Sequence, residues 1–110
     1  KENPEAVATF VSVTQRAYSA CVEDPKPCVE ALMAAASGLD EKAMYDQWTR
    51  VKDLMADNTT TTDGLGFFDG ERIQGTYDLI ETYFGMEKPF DPAESYTNEY
   101  LDGSLKMTAQ

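Results

Sequence analysis

The chain has 110 residues, the size of one domain or part of one. Twenty Asp and Glu against nine Lys and Arg give a net charge of −11, and histidine is absent. That balance disfavours nucleic acid and anionic membranes, which are held largely by Lys and Arg, and it removes the commonest general base and metal ligand. With 42% hydrophobic and 26% charged residues, the composition is that of a folded globular chain. No apolar run approaches the ~20 residues that span a bilayer. The opening KENPEAV lacks the apolar core of a secretory signal. An export signal is therefore expected to have been removed or to lie outside this chain.

The first helix is expected over 4–23. Asn3 is its N-cap, Pro4 its first residue and Glu5 an acid in the first turn. Val7, Phe10, Val11, Thr14, Ala17, Tyr18, Cys21 and Val22 recur at three- and four-residue spacing. Asp24-Pro25-Lys26-Pro27 stops it, since neither proline can donate a helical hydrogen bond. A second helix is expected over 26–37, with Cys28, Val29, Leu32, Met33 and Ala36 on one face and Gly38 as its left-handed C-cap. Cys21 and Cys28 then face each other across the turn. They form a disulfide in an exported protein or two buried thiols in a cytosolic one. A bridge would close an eight-residue ring, worth ~2.5 kcal/mol in the chain-entropy model. The pair matches no CxxC pattern, and two thiolates without His cannot complete a tetrahedral zinc site.

Asp40 caps a third helix, 41–56, whose stripe is Met44, Trp48, Val51 and Leu54 or Met55. Residues 57–69 lack helical period and read as a loop with four threonines. Loops of that length are uncommon in small domains unless functional or packed on something else. Within it, Asn58-Thr59-Thr60 fits the N-glycosylation pattern, a short motif frequent by chance, and Leu65-Gly66-Phe67-Phe68 reads as an apolar anchor. Asp69 caps a fourth helix, 70–84, with Ile73, Tyr77, Ile80 and Phe84 as its stripe, Leu79 and Tyr83 beside it, and Gly85 at its end. Gly75 inside that helix suggests a close backbone approach. Asp91-Pro92-Ala93-Glu94 resembles a capping box opening a short turn over 92–97. The fold class is all-α: four main helices and a short C-terminal turn, with no strand.

Reactive constellations are lacking. Asp53 and Asp57, and Asp78 and Glu81, read as solvated acidic faces. Asp63, Asp69 and Glu71 do not reproduce calcium-loop spacing. There is no GxSxG turn, phosphate loop or dinucleotide glycine pattern. The expectation is a non-enzyme with no catalytic residue, no metal and no cofactor. Tyr45 and Trp48, three apart, and Phe67 and Phe68 are the aromatics that could line a pocket. For Trp48, a place in the core is the simpler reading.

Taken together, KENPEAVATFV, AMYDQWTRVKDLM, GLGFFDGERIQGTYDLIETYFG and ESYTNEYL resemble the C-terminal part of periplasmic ABC-transporter solute-binding proteins of the thiamine-precursor and sulfonate type. The motifs that carry the likeness are Glu2 to Glu5, Gly66 to Arg72 and Tyr96 to Leu101. Asp69-Gly70-Glu71 stands where that family commonly has Asp-Pro-Glu. The resemblance implies a helical fragment of a two-lobed α/β receptor (type II), with both central sheets and most ligand contacts elsewhere. It implies a periplasmic location, or an extracellular, lipid-anchored one in a Gram-positive host, where a Cys21–Cys28 bridge would persist. It also implies a small organic solute (a thiamine pyrimidine precursor or a sulfonate) as ligand of the intact protein, and an ABC permease as partner. Which residues would touch that solute is unknown, although Phe67 and Phe68 are the first to mutate. An excised segment is expected to hide its apolar stripes by self-association. The alternatives are a free-standing secreted helical module that binds a protein partner, and an enzyme subunit whose catalytic residues sit in another chain.

Overall fold

The computed structural model describes residues 2–108, and all regular structure among them is helical. Helix α1 (Pro4–Glu23) begins as its sequence dictates: Asn3 accepts from the Ala6 N–H at 3.0 Å, and Pro4 occupies the first turn. Asp24 takes the C-cap, and its carboxylate also accepts from the Lys26 N–H, which opens α2 (Lys26–Ala35). The Cys21 and Cys28 sulfurs are joined across this corner, with Cα atoms 5.9 Å apart. Helix α2 ends at Ala35, two residues early, and Ala36 is its C-cap in extended conformation. Gly38 does have a left-handed φ of 82°, but it turns the following connection rather than capping the helix.

Asp40 caps α3 (Glu41–Met55) by accepting from Ala43 N–H. The stretch expected to be a loop holds a further short helix, α4 (Asn58–Thr62). A capping box makes it possible. Asp57 accepts from the Thr60 N–H at 2.8 Å, and the Thr60 hydroxyl accepts from the Asp57 N–H at 3.0 Å. Thr stands here where the usual signature has Glu or Gln, so a pattern search passes over it. Helix α5 (Gly70–Phe84) starts on Asp69, which accepts from Glu71 and Arg72 N–H groups, and stops at Gly85 with φ 72°. No close approach explains Gly75: a Cβ there would meet nothing within 4 Å. The final element is a single 3₁₀ turn, Pro92–Ser95, shorter than expected. Asp91 accepts from Ala93 N–H, and there is no capping box.

The tail returns along the 57–68 segment. Leu65 N–H donates to Leu105 O at 2.7 Å and Met107 N–H to Thr60 O at 2.9 Å. Backbones cross closely at Gly64 and Gly103: a Cβ on Gly64 would lie 3.2 Å from Gly103 Cα and 3.0 Å from the Phe67 ring. Gly64 also has φ +142°, so both space and backbone demand glycine.

The buried core is small. Val29, Leu65 and Met107 are its buried apolar members, joined by Gln15 and Thr59. No residue of α3 or α5 is buried. The stripes that periodicity marks as core-facing stand largely in solvent: Phe10 is 72% exposed, Leu54 83% and Phe84 85%. Accessible surface totals 8305 Å², against about 6,100 Å² for a compact monomer of this mass. The radius of gyration, 16.8 Å, likewise exceeds the ~13 Å expected for this length. The helices have formed, but they do not cover one another.

Candidate functional site

The most organised region is built around one side chain, Gln15, which is 5% exposed. It sits four residues after Val11 and three before Tyr18, on the apolar face of α1. Its amide nitrogen donates to Leu65 O and to Asp102 O, both at 2.9 Å, while its oxygen accepts from Asp102 N–H at 2.9 Å. One glutamine thus ties α1 to two irregular segments, and no buried side-chain nitrogen or oxygen among the described residues lacks a partner. Burying an amide is tolerable only when it is bonded in this way. A polar residue at an apolar position of α1 was the available signal, and the periodicity reading passed over it.

A second latch joins the segments Gly66–Arg72 and Tyr96–Leu101. Asn98 accepts from Phe68 N–H at 2.9 Å and donates to Phe68 O at 3.0 Å, imitating a backbone pairing. The Tyr96 ring lies 5.3 Å from that of Phe68, centroid to centroid. The Tyr96 hydroxyl also approaches Gly70 and would stand 3.0 Å from a Cβ at that position. Gly66–Arg72 and Tyr96–Leu101 are therefore one unit in space, although residues 73–95 separate them in sequence.

Against these latches lies an apolar groove of about 550 Å³. Phe10, Thr14 and Tyr18 of α1 form one wall, Val51 and Met55 of α3 the other, and Leu65 to Phe68 an end. Leu65 is 3% exposed, the buried anchor that the LGFF pattern suggested, whereas Phe68 is half open to solvent. Phe67 and Phe68 both line the groove; Tyr45 does not. A second hollow of about 400 Å³ continues past Tyr18 and Val51 to Leu32, Met44, Trp48 and the disulfide. Trp48 is half-buried rather than enclosed: its indole N–H donates to Cys21 O at 3.1 Å, and its ring lies 6.2 Å from Tyr18.

The groove is lined mainly by apolar and aromatic side chains. Titration is displaced at Lys42, Tyr45, Asp57 and Asp102. Asp57 is held below the ordinary carboxylate value chiefly by the Thr60 N–H, with the Arg72 guanidinium adding to it. Asp102 is lowered by Ser104, which donates to it at 2.8 Å. Of the two acidic pairs, Asp57 caps α4 and pairs with Arg72, while Asp78 accepts from Gln74. No group of three or more His, Cys, Asp and Glu among the described residues is arranged to hold a metal ion, and no helix there is long and apolar enough to cross a membrane. No protein-family model, curated protein or solved structure matches the chain.

Proposed function

We propose that this chain is the helical segment of a larger solute-binding receptor of an ABC importer. In that protein it supplies packing surface, and the solute cleft is formed mainly elsewhere. The observation that carries the reading is the uncovered apolar surface: helices with well-made caps leave Phe10, Tyr18, Val51 and Leu54 in solvent. A chain whose secondary structure is locally specified but whose stripes lack cover is built to pack on another layer. Support also comes from the resemblance of Gly66–Arg72 and Tyr96–Leu101 to that family's motifs, and the Asn98–Phe68 latch gives both a physical purpose. The intact receptor binds a small organic solute, such as a thiamine pyrimidine precursor or a sulfonate, between two lobes without bond chemistry, and delivers it to a permease. A periplasmic or lipid-anchored extracellular location suits the Cys21–Cys28 bridge.

The test is to express the complete natural reading frame and heat it with panels of pyrimidines and sulfonates. A ligand at one hundred times its Kd stabilises by about 2.7 kcal/mol, so one class should raise Tm by several degrees. A frame that ends near Lys1, with no response to either panel, would overturn the receptor reading. It would favour the free-standing secreted helical interaction module, which draws on the same uncovered surface.

A further inference from the structure

The Cys21–Cys28 bridge closes the corner between α1 and α2, and α2 leans on it heavily. Of the ten residues of α2 only Val29 is buried, and Leu32 on the same face is 45% exposed. The Lys26–Glu30 ion pair is internal to the helix. Asp24 accepts from the Lys26 N–H, while Pro25 and Pro27 bring no donor to the corner. The Trp48 indole donates to Cys21 O, which ties α3 to α1 rather than to α2. A helix held by one covalent bond and a thin apolar contact has the makings of a unit that opens locally.

The bridge lies within reach of solvent. Both cysteines are half-buried, Glu23, Asp24, Lys26 and Pro27 beside them are exposed, and the pair lines the hollow of about 400 Å³ opposite Met44 and Trp48. The two sulfurs are not equivalent. Cys21 lies in the last turn of α1, at the negative end of its dipole and next to Glu23 and Asp24, whereas Cys28 lies in the first turn of α2, at the positive end. A thiolate is therefore easier to form at Cys28 than at Cys21. A nucleophile that attacks the Cys21 sulfur expels the better leaving group.

We propose that the Cys21–Cys28 bridge is a reversible redox latch on α2: a dithiol reductant opens it in the folded protein, α2 is released as a unit, and the hollow beside Trp48 loses that wall. A thiolate of the dithiol attacks Cys21 Sγ, the S–S bond breaks, and Cys28 leaves as a thiolate and takes up a proton. The second thiol of the reductant then attacks the mixed disulfide and expels Cys21, which is protonated in turn. The reductant ends as a disulfide, its two electrons and two protons transferred to the cysteine pair. This goes beyond the receptor reading and does not depend on it.

The experiment treats the intact natural polypeptide with dithiothreitol in the absence of denaturant. Iodoacetamide traps the thiols for mapping by mass spectrometry, and hydrogen exchange follows each helix. Cys21 and Cys28 should both become alkylated. Amides of 29–35 should then exchange about ten-fold faster or more, while those of α1 before Thr14 and of α5 keep their protection. Oxidised glutathione should restore the slow exchange, and the double variant C21S/C28S should exchange like the reduced protein without any reductant. Cysteines that stay bridged until denaturant is added would overturn the proposal, as would a reduced protein whose α2 amides remain protected. Loss of protection in α1 and α5 together with α2 would also overturn it, because the bridge would then be a staple of the whole fold. None of these outcomes touches the solute test above.

Discussion

Replacing Gln15 with leucine removes three hydrogen bonds while nearly preserving volume, which makes it the sharpest probe of how the irregular half is held. An intramolecular bond contributes about 1 kcal/mol net, and an orphaned buried group costs about 1–3 kcal/mol. The two Asp102 groups are near solvent and can turn to water, but the Leu65 carbonyl belongs to a residue 3% exposed. Summing two moderate losses and one full orphan gives about 3 kcal/mol for Gln15→Leu. For a domain of this size that lowers Tm by roughly 10 °C or more. Trp48 is the single tryptophan and reports unfolding by fluorescence, with urea titration giving the free energy. Gln15→Glu should be as damaging at neutral pH, since a carboxylate would then face two carbonyls, and should recover in part as acid protonates it. A Gln15→Leu protein within 0.5 kcal/mol of the parent would show that the latch is incidental.

Cys21→Ser should cost about 2.5 kcal/mol under oxidising conditions, as expected for an eight-residue ring, and almost nothing with reductant present. An equal loss in both would mean that the sulfur matters by packing alone. Asn98→Ala should lower stability by about 1 kcal/mol and shift the Phe68 amide resonance; an unmoved resonance would rule out the latch. Asp57 has a folded pKa below its ordinary 3.8, so its contribution is present above that value and is lost as pH falls through the folded pKa. Asp57→Asn should therefore flatten the acid limb of the stability–pH curve below about pH 4, and a curve parallel to the parent's would contradict the assignment.

Helix starts were the most legible part of the fold, because each is a local contract. Asn3, Asp40, Asp69 and Asp91 all cap where their positions indicated, by accepting from N–H groups two or three residues on. Helix α4 escaped because its capping box uses Thr60 where the signature has an acid or amide. The Gln15 and Asn98 latches span 87 and 30 residues, and no periodicity reports on partners so far away. Periodicity did mark which faces are apolar, yet it could not say what covers them. Gly38 shows a related limit: a left-handed glycine was readable, but not that the helix would end three residues earlier.

The account rests on the groove being covered in the intact polypeptide, and side-chain footprinting addresses that directly. Carbene labelling of the 110-residue chain and of the product of its complete natural reading frame should differ at Phe10, Tyr18, Val51 and Phe68. The account predicts at least ten-fold protection of these residues in the complete protein. Equal labelling of Phe10 and Tyr18 in both would contradict it.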